Sequence, residues 1–567
     1  MKLFSVLALC ALALSWLVTS HFPPWMSWHS EVVAFFAILP LGWCGLARIH
    51  RTAKQRIVAF PTPALPLVAL ALVAAVQCAA GLMTFSGDFW VICFYLTLCL
   101  ICLALGFAAT SSFVGGSAGV VPVAPLTQFA AVLLVGAAVS SVISFIQVFD
   151  LWPGFELIVR MPQLRRPGGN LGQPNQLATL LLMGLASLLF LYESKKLGAL
   201  AAALLAITLL TGVAATESRT GVLSLVFLTL WWFAKHKSLE FRLSPWAVSC
   251  GGAAFLSLLW YWPSLMDAVQ QSSGLGAQVN VSVGSRWLVW PQLIEAVLQR
   301  PWWGWGLGQV SIAQNAVVHA YAVSEPFTYA HNIVLDLALG MGLPLTALLV
   351  LVTSVWLWRR VRSARQLAPW YYLALILPVA VHSMLEFPFA YAYFLVPVMF
   401  AVGALEGAVG AKPAFRLGVK PALAILSVTT VLMAWSAVEY VSIEEDFRIV
   451  RFEALRIGTT PANYQRPHVV LLTQLDALLH GGRIVPKPGM SADELELARK
   501  VALRFPWPAT QNRYAQSLAL NGNPDEAFRQ LRVMRALHGE AAYAQIKAGW
   551  TLLAEEKYPQ LQALKLP

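Results

Sequence analysis

Residues 165–193 read RRPGGNLGQPNQLATLLLMGLASLLFLYE. A basic head rich in glycine and amides runs directly into an apolar stretch from 175 to 193. Spanning a bilayer takes roughly 20 mostly apolar residues, and about thirteen such stretches precede residue 439: 3–19, 31–47, 62–83, 89–110, 125–148, 175–193, 197–215, 219–234, 246–262, 331–357, 369–383, 390–410 and 421–438. The chain is 58% hydrophobic and 12% charged over 567 residues, with a mean hydropathy of +0.67. Soluble domains carry about twice that charged share. The expected fold is an all-α polytopic membrane protein.

All seven cysteines fall inside these stretches. Their spacing is neither that of a disulfide framework nor that of a metal site, and they read as small apolar packing residues. The first twenty residues read as an uncleaved first span rather than a removed signal.

Positive charge normally stays on the cytoplasmic side of a membrane. With the N-terminus inside, seventeen Lys and Arg fall in cytoplasmic loops. Six fall in external loops before residue 439: Arg160, Arg165, Arg166, Arg219, Arg286 and Arg300. All six are arginine. The guanidinium fork matches phosphate oxygens in a way the lysine point charge does not. The basic head at 165–176 therefore reads as a place that holds an anionic headgroup, with glycine backbone and amides as further donors. Nucleic acid is a poor partner for charges distributed among short membrane loops.

The same parity places a long loop, 263–330, outside. Its middle, GSRWLVWPQLIEAV (284–297), has a helical apolar pattern. With the tryptophans that follow at 302, 303 and 305, it suits a helix lying in the membrane interface. After residue 438 the hydropathy falls, and 439–567 is expected to be an external helical domain. There, 515–528 (AQSLALNGNPDEAF) reads as helix, glycine turn and N-capped helix, the spacing of a tetratricopeptide hairpin. The expected domains are thus 1–438, including the loop, and 439–567.

Five polar clusters share the external face: 165–176, Glu217-Ser218-Arg219, Gly284-Ser285-Arg286, His331-Asn332, and His382 with Glu386. Ionisable groups near membrane depth are costly and tend to be functional. His331 opens a span beside the arginines, and imidazole can take a proton near neutral pH. Arg165, Arg166, Arg219 and Arg286, with Asn170, Gln173, Asn175, Gln176, Asn332 and Glu386, are the candidate binding residues, and His331 is the candidate catalytic group. His382, four residues before Glu386, reads equally as packing or as support.

At these residues the sequence resembles the bacterial protein O-oligosaccharyltransferases, the PglL-type pilin glycosylation enzymes of the O-antigen ligase superfamily. The matching pieces are RPGGNLGQPNQLA (166–178), ESRTG (217–221), GSRWLVWPQLIEAVLQRPWWGWGLGQ (284–309), HNIVLDLALGMGLP (331–344) and EFPFAYAYFLVP (386–397). The resemblance implies an inverting glycosyltransferase in the inner membrane with its site facing the periplasm. It implies a donor glycan on undecaprenyl pyrophosphate and an acceptor Ser or Thr of an exported, pilin-like protein. No metal or soluble cofactor is implied. By matching position, Arg219 and Arg286 would bind pyrophosphate and His331 would activate or orient the acceptor hydroxyl. The rival readings are an O-antigen ligase acting on the lipid A core and a transporter of the lipid-linked sugar. The second is disfavoured because the polar residues gather at one face and no internal repeat is visible.

Overall fold

A computed structural model describes all residues except Met1, 53–55, 112–125, 153, 155, 160–165, 274–285, 564, 565 and 567. The chain runs α1 (Lys2–Ser15), α2 (Trp28–Thr52), β1 (Ile57–Phe60), α3 (Ala64–Ala79), α4 (Ser86–Thr110), α5 (Leu126–Val148), α6 (Pro174–Glu193), α7 (Ala199–Ala215), α8 (Arg219–Leu239) and α9 (Pro245–Ser273). It continues through α10 (Arg286–Gln299), α11 (Val310–Val318), α12 (Ile333–Met341), α13 (Leu343–Ser363), α14 (Leu367–Ser383), α15 (Ala392–Ala408), β2 (Phe415–Gly418), α16 (Val419–Leu455), α17 (Thr473–Arg483), α18 (Ala492–Arg504), α19 (Pro508–Leu520) and α20 (Pro524–Glu556). Each apolar stretch read from the sequence contains a helix. Among the described residues, six helices are long and apolar enough to cross a bilayer. The chain is a mostly helical, multi-pass membrane protein.

Three boundaries differ from expectation. The stretch 331–357 breaks at Gly342 (φ 82) into α12 and α13, so the His-Asn pair opens a short helix of nine residues. α9 continues through Pro263 to Ser273, which shortens the loop expected at 263–330. α16 runs unbroken from 419 to 455, through the boundary expected at 438.

The chain forms two compact units, 1–68 with 95–280 and 353–431, and 69–94 with 281–352 and 432–567. This divides the chain differently from a cut at 438, since residues 281–352 and 432–567 fall in one unit. In the first unit α6 is the central helix, with 83% of its apolar window buried. Small residues let its neighbours approach, as in other membrane bundles. A Cβ on Gly184 would lie 2.3 Å from Ala137, one on Gly212 2.4 Å from Ser141, and one on Gly221 2.8 Å from Ala178. β1 and β2 pair antiparallel in this unit, from Ile57 opposite Gly418 to Phe60 opposite Phe415.

In the second unit, α10, α11 and α12 share an apolar core that includes Val289, Leu293, Val317, Phe327 and Leu339. Val318 packs against Val533, Ala536 and Leu537 of the C-terminal region. Arg504 and Asp88 form a buried ion pair at 2.8 Å. The helix–turn–helix expected at 515–528 is present as α19, Gly522 (φ 80) and α20. Asn523 makes no side-chain cap; its amide donates to Asn521 O instead, and Pro524 opens α20. Gly539 (φ 79) then kinks α20, so one hairpin is present and a tetratricopeptide repeat does not follow from it.

Candidate functional site

Within the first unit the basic head is a tightly bonded turn. Gly169 (φ 58) and Gly172 (φ 71) supply the left-handed conformations that bring the chain round. A Cβ on Gly168 would lie 2.4 Å from Gln173 N, so the turn closes only on glycine. Asn170 is buried and fully used. Its Nδ2 donates to Leu17 O and Leu157 O, both at 2.9 Å, and its Oδ1 accepts from Val159 N at 3.1 Å. Gln147, at the end of α5, exchanges two bonds with Gly169, at 2.8 and 2.9 Å. Nothing in the residue pattern marks Gln147, which stands at the end of an apolar stretch.

Gln173 caps α6: its Oε1 accepts from Gln176 N at 2.6 Å, and Pro174 takes the first helical position. This is the arrangement favoured at helix starts. Asn175 then links three elements. Its Oδ1 accepts the Ser218 hydroxyl at 2.6 Å and its Nδ2 donates to Glu386 Oε1 at 3.2 Å. Gln176 Oε1 accepts from the Tyr393 hydroxyl at 2.6 Å. Thr179, one turn on, lies 2.8 Å from His382 Nδ1 in a buried contact. His382 thus supports α6 from behind.

Ser218 caps α8 by accepting from Gly221 N at 2.9 Å. Glu217 before it has a positive φ of 47°, a strained conformation of the kind that clusters at functional sites. Arg219 opens α8 with an exposed side chain. Arg166 donates from Nε to Thr216 O at 2.8 Å, which leaves Nη1 and Nη2 as the edge it can present. Burial holds its guanidinium below the ordinary value; Glu217 and Glu386 oppose this and Arg219 adds to it. Arg166 therefore feels the charges of Glu217, Arg219 and Glu386. Arg165 lies outside the described residues.

The second unit holds Arg286, His331 and Asn332. Arg286 is the first residue of α10, whose amphipathic pattern is as expected: Val289, Leu293, Ala296 and Val297 are buried while Trp287 is exposed. Trp290 Nε1 donates to Ala330 O at 2.8 Å, and Ala330 N donates to Asp336 Oδ2 at 2.8 Å. These bonds fix the residue before His331 from both sides. His331 itself has a φ of 55° and its ring packs on Phe327 at 4.4 Å. Asn332 caps α12, with Oδ1 accepting from Val334 N and Leu335 N, each at 3.0 Å.

Before α11, residues 301–306 are held main chain to main chain against residues 339–343. Trp305 N donates to Leu339 O at 2.7 Å, Gly306 N to Gly340 O at 3.1 Å, and Leu343 N to Pro301 O at 2.7 Å. Gln77 closes the arrangement, accepting from Leu307 N at 2.9 Å and donating to Gly340 O at 2.8 Å. Among the described residues no group of three or more His, Cys, Asp or Glu could hold a metal ion.

Three family models match segments of the chain. A protein glycosylation ligase model covers 167–192, an O-antigen ligase model covers 201–350, and the C-terminal part of a membrane-bound polymerase described as a virulence factor covers 370–553. The chain is 26% identical over 548 residues to the General O-oligosaccharyltransferase of Acinetobacter baylyi, covering 94% of this chain and 92% of that one. It is 32% identical over 242 residues to the ComP-specific O-oligosaccharyltransferase of the same organism, covering 42% of this chain and 43% of that one. The resemblance read from residues 166–397 is thus a similarity that extends along nearly the whole chain.

Proposed function

We propose that this chain is an oligosaccharyltransferase that moves a glycan en bloc from undecaprenyl pyrophosphate to Ser or Thr hydroxyls of exported, pilin-like proteins, at the periplasmic face of the inner membrane. The observation that carries this reading is the coincidence at α6. The segment similar to protein glycosylation ligases is the one whose capping residues clasp the Ser218-Arg219 turn and Glu386.

In the proposed reaction the acceptor oxygen attacks the anomeric carbon as the bond from that carbon to the phosphate oxygen breaks. The pyrophosphate leaves with the electron pair, and the sugar configuration inverts. Developing charge on the leaving group needs fixed donors. Arg219, the outer edge of Arg166, and Arg286 supply guanidinium groups suited to this without a metal. His331 takes the acceptor proton or orients the hydroxyl. Arg165 is assigned to the same anion. Gln173, Asn175, Gln176, Asn332 and Glu386 serve by holding the helix starts that carry the cations and the imidazole, and Asn170 by shaping the turn.

The O-antigen ligase match at 201–350 supports a second reading, with a lipid A core sugar as acceptor. Intact-mass analysis of exported pilin, with and without the gene, separates the two. A glycan-sized mass increase on the protein, with lipopolysaccharide unchanged, is expected. A change in lipopolysaccharide length with no change on any exported protein would overturn the reading.

A further inference from the structure

The first unit contains a cavity of about 260 Å³ walled by α2, α4, the start of α16 and the β1–β2 ribbon. Each helix gives it one stripe at helical spacing, such as Ala422, Ile425 and Leu426 of α16. The ribbon gives it one face: Val58 pairs with Leu417 and Phe60 with Phe415, and all four line the cavity. Phe60 stacks on Phe415 with ring centres 4.8 Å apart. Among the described lining residues Thr97 alone carries a polar side chain.

The cavity opens along membrane spans and reaches their ends. Ile49 of α2 and Ala108 of α4 line it, and these spans end two residues later, at Arg51 and Thr110. Its other limit on α4 is Thr97. From Thr97 to Ala108 a helix rises roughly 16 Å, close to half of a hydrocarbon core about 30 Å thick. The cavity is therefore as deep as one leaflet.

Cations stand beside it on the same elements. Arg51 follows Ile49 by two residues, Arg56 precedes Val58 by two, and Lys420 precedes Ala422 by two. All three side chains are exposed, and none is ion-paired among the described residues. Residues 32–87 and 407–438 hold seven Lys and Arg and no Asp or Glu, so these segments have no carboxylate to answer the charge.

We infer that this cavity holds one acyl chain of an anionic glycerophospholipid, with the lipid phosphate on Arg51 and Arg56. An apolar cavity stays dry, and its lining loses dispersion contacts until a chain fills it. A polypeptide segment does not suit it, because the backbone polar groups would find no partners there. Lipid tails are as apolar as the wall, so transfer of the chain out of the bilayer selects little by itself. Selection falls to the headgroup, and basic groups at span ends attract anionic lipids. Guanidinium groups suit the phosphate in particular. This site goes beyond the proposed transfer and does not rest on it.

The test is photolabelling of the purified full chain in neutral detergent by phosphatidylglycerol that carries a diazirine within one acyl chain, with adducts mapped by peptide mass spectrometry. Adducts are expected on 97–108 and 422–426. Unlabelled phosphatidylglycerol should suppress them at about one tenth of the concentration that phosphatidylcholine with the same chains requires, the size of one charge-assisted contact. Arg51→Gln combined with Arg56→Gln should erase that difference. Ala108→Phe, which fills the cavity, should remove the adducts from both segments. Each variant is first checked for an unchanged melting temperature; if Ala108→Phe melts lower, Ala108→Leu takes its place. Equal competition by the two lipids, a preference that survives in the double variant, or undiminished adducts in the filled variant each overturn the proposal. So does stronger competition by palmitate than by phosphatidylglycerol, which would make the cavity a fatty-acid site. No transfer is measured, so failure here leaves the proposed reaction standing, and failure of that reaction leaves this site standing.

Discussion

Ser218 donates its hydroxyl proton to Asn175 at 2.6 Å, and this one bond ties the starts of two helices that lie 43 residues apart in the chain. Asn175 in turn donates to Glu386, so a single amide serves as donor and acceptor between two elements. An amide is the side chain that can do both at once.

Asn175→Asp should therefore be more damaging than Asn175→Ala. The new carboxylate keeps the acceptor for Ser218 but sets a second negative group against Glu386, which is buried. We expect a stability loss of about 1–3 kcal/mol and at least a tenfold fall in transfer. Thermal melting in detergent and a peptide-acceptor assay measure the two. A wild-type melting curve for the aspartate variant would show that the clasp carries no strength.

Arg286→Lys should not restore function, and Arg219→Lys should do so only in part. Lysine keeps the charge and loses the two-pronged geometry on phosphate oxygens. Glycosylation at the wild-type rate by either lysine variant would reduce these arginines to a source of local potential.

His331 sits at a φ of 55°, a conformation that costs most L-residues about 1–2 kcal/mol. His331→Gly should lose transfer by about 10²–10⁴-fold yet melt no lower than His331→Ala, because glycine adopts this backbone freely. His331→Gln should be as inactive as the alanine variant, since an amide cannot accept a proton at neutral pH. Robust transfer by the glutamine variant would assign the ring to orientation alone. Loss of donor binding in the alanine variant would move it into the phosphate site.

The sidedness read from the charges predicts opposite labelling at two exposed positions. A cysteine at Glu540 should react with an impermeant thiol reagent in cells with a permeabilised outer membrane. A cysteine at Lys196 should react only after the inner membrane is broken. The reverse pattern would invert the membrane topology and remove the proposed site from the periplasm.

Much of this arrangement is legible in the chain. Gln173-Pro174 and Ser218 are helix-start chemistry, and each does cap the helix that follows. Asn332 is legible in the same way. The glycines of 168–172 announce a turn that needs left-handed backbone. What could not be read is long-range pairing. Gln147 and Tyr393 lie in or beside apolar stretches, where period and propensity carry no information about a partner far along the chain. The unbroken α16 is hidden because the fall in hydropathy near 438 reflects the surroundings of the helix, while its backbone continues through good helix formers. Gly342 is hidden for the opposite reason: one glycine in an apolar run is tolerated by most helices, and here its φ of 82° ends one helix before the next begins.

Residues 301–306 are fastened to 339–343 through amide nitrogens and carbonyl oxygens, which every residue but proline can supply. Trp302 and Trp303 meanwhile stand 70% and 75% exposed. Fastening and display are thus assigned to different atoms of the same segment. Selection is free to rewrite what those two side chains meet, residue by residue, without loosening the frame beneath them. Substitutions at positions 302 and 303 can thus change the exposed surface while the architecture stays as it was.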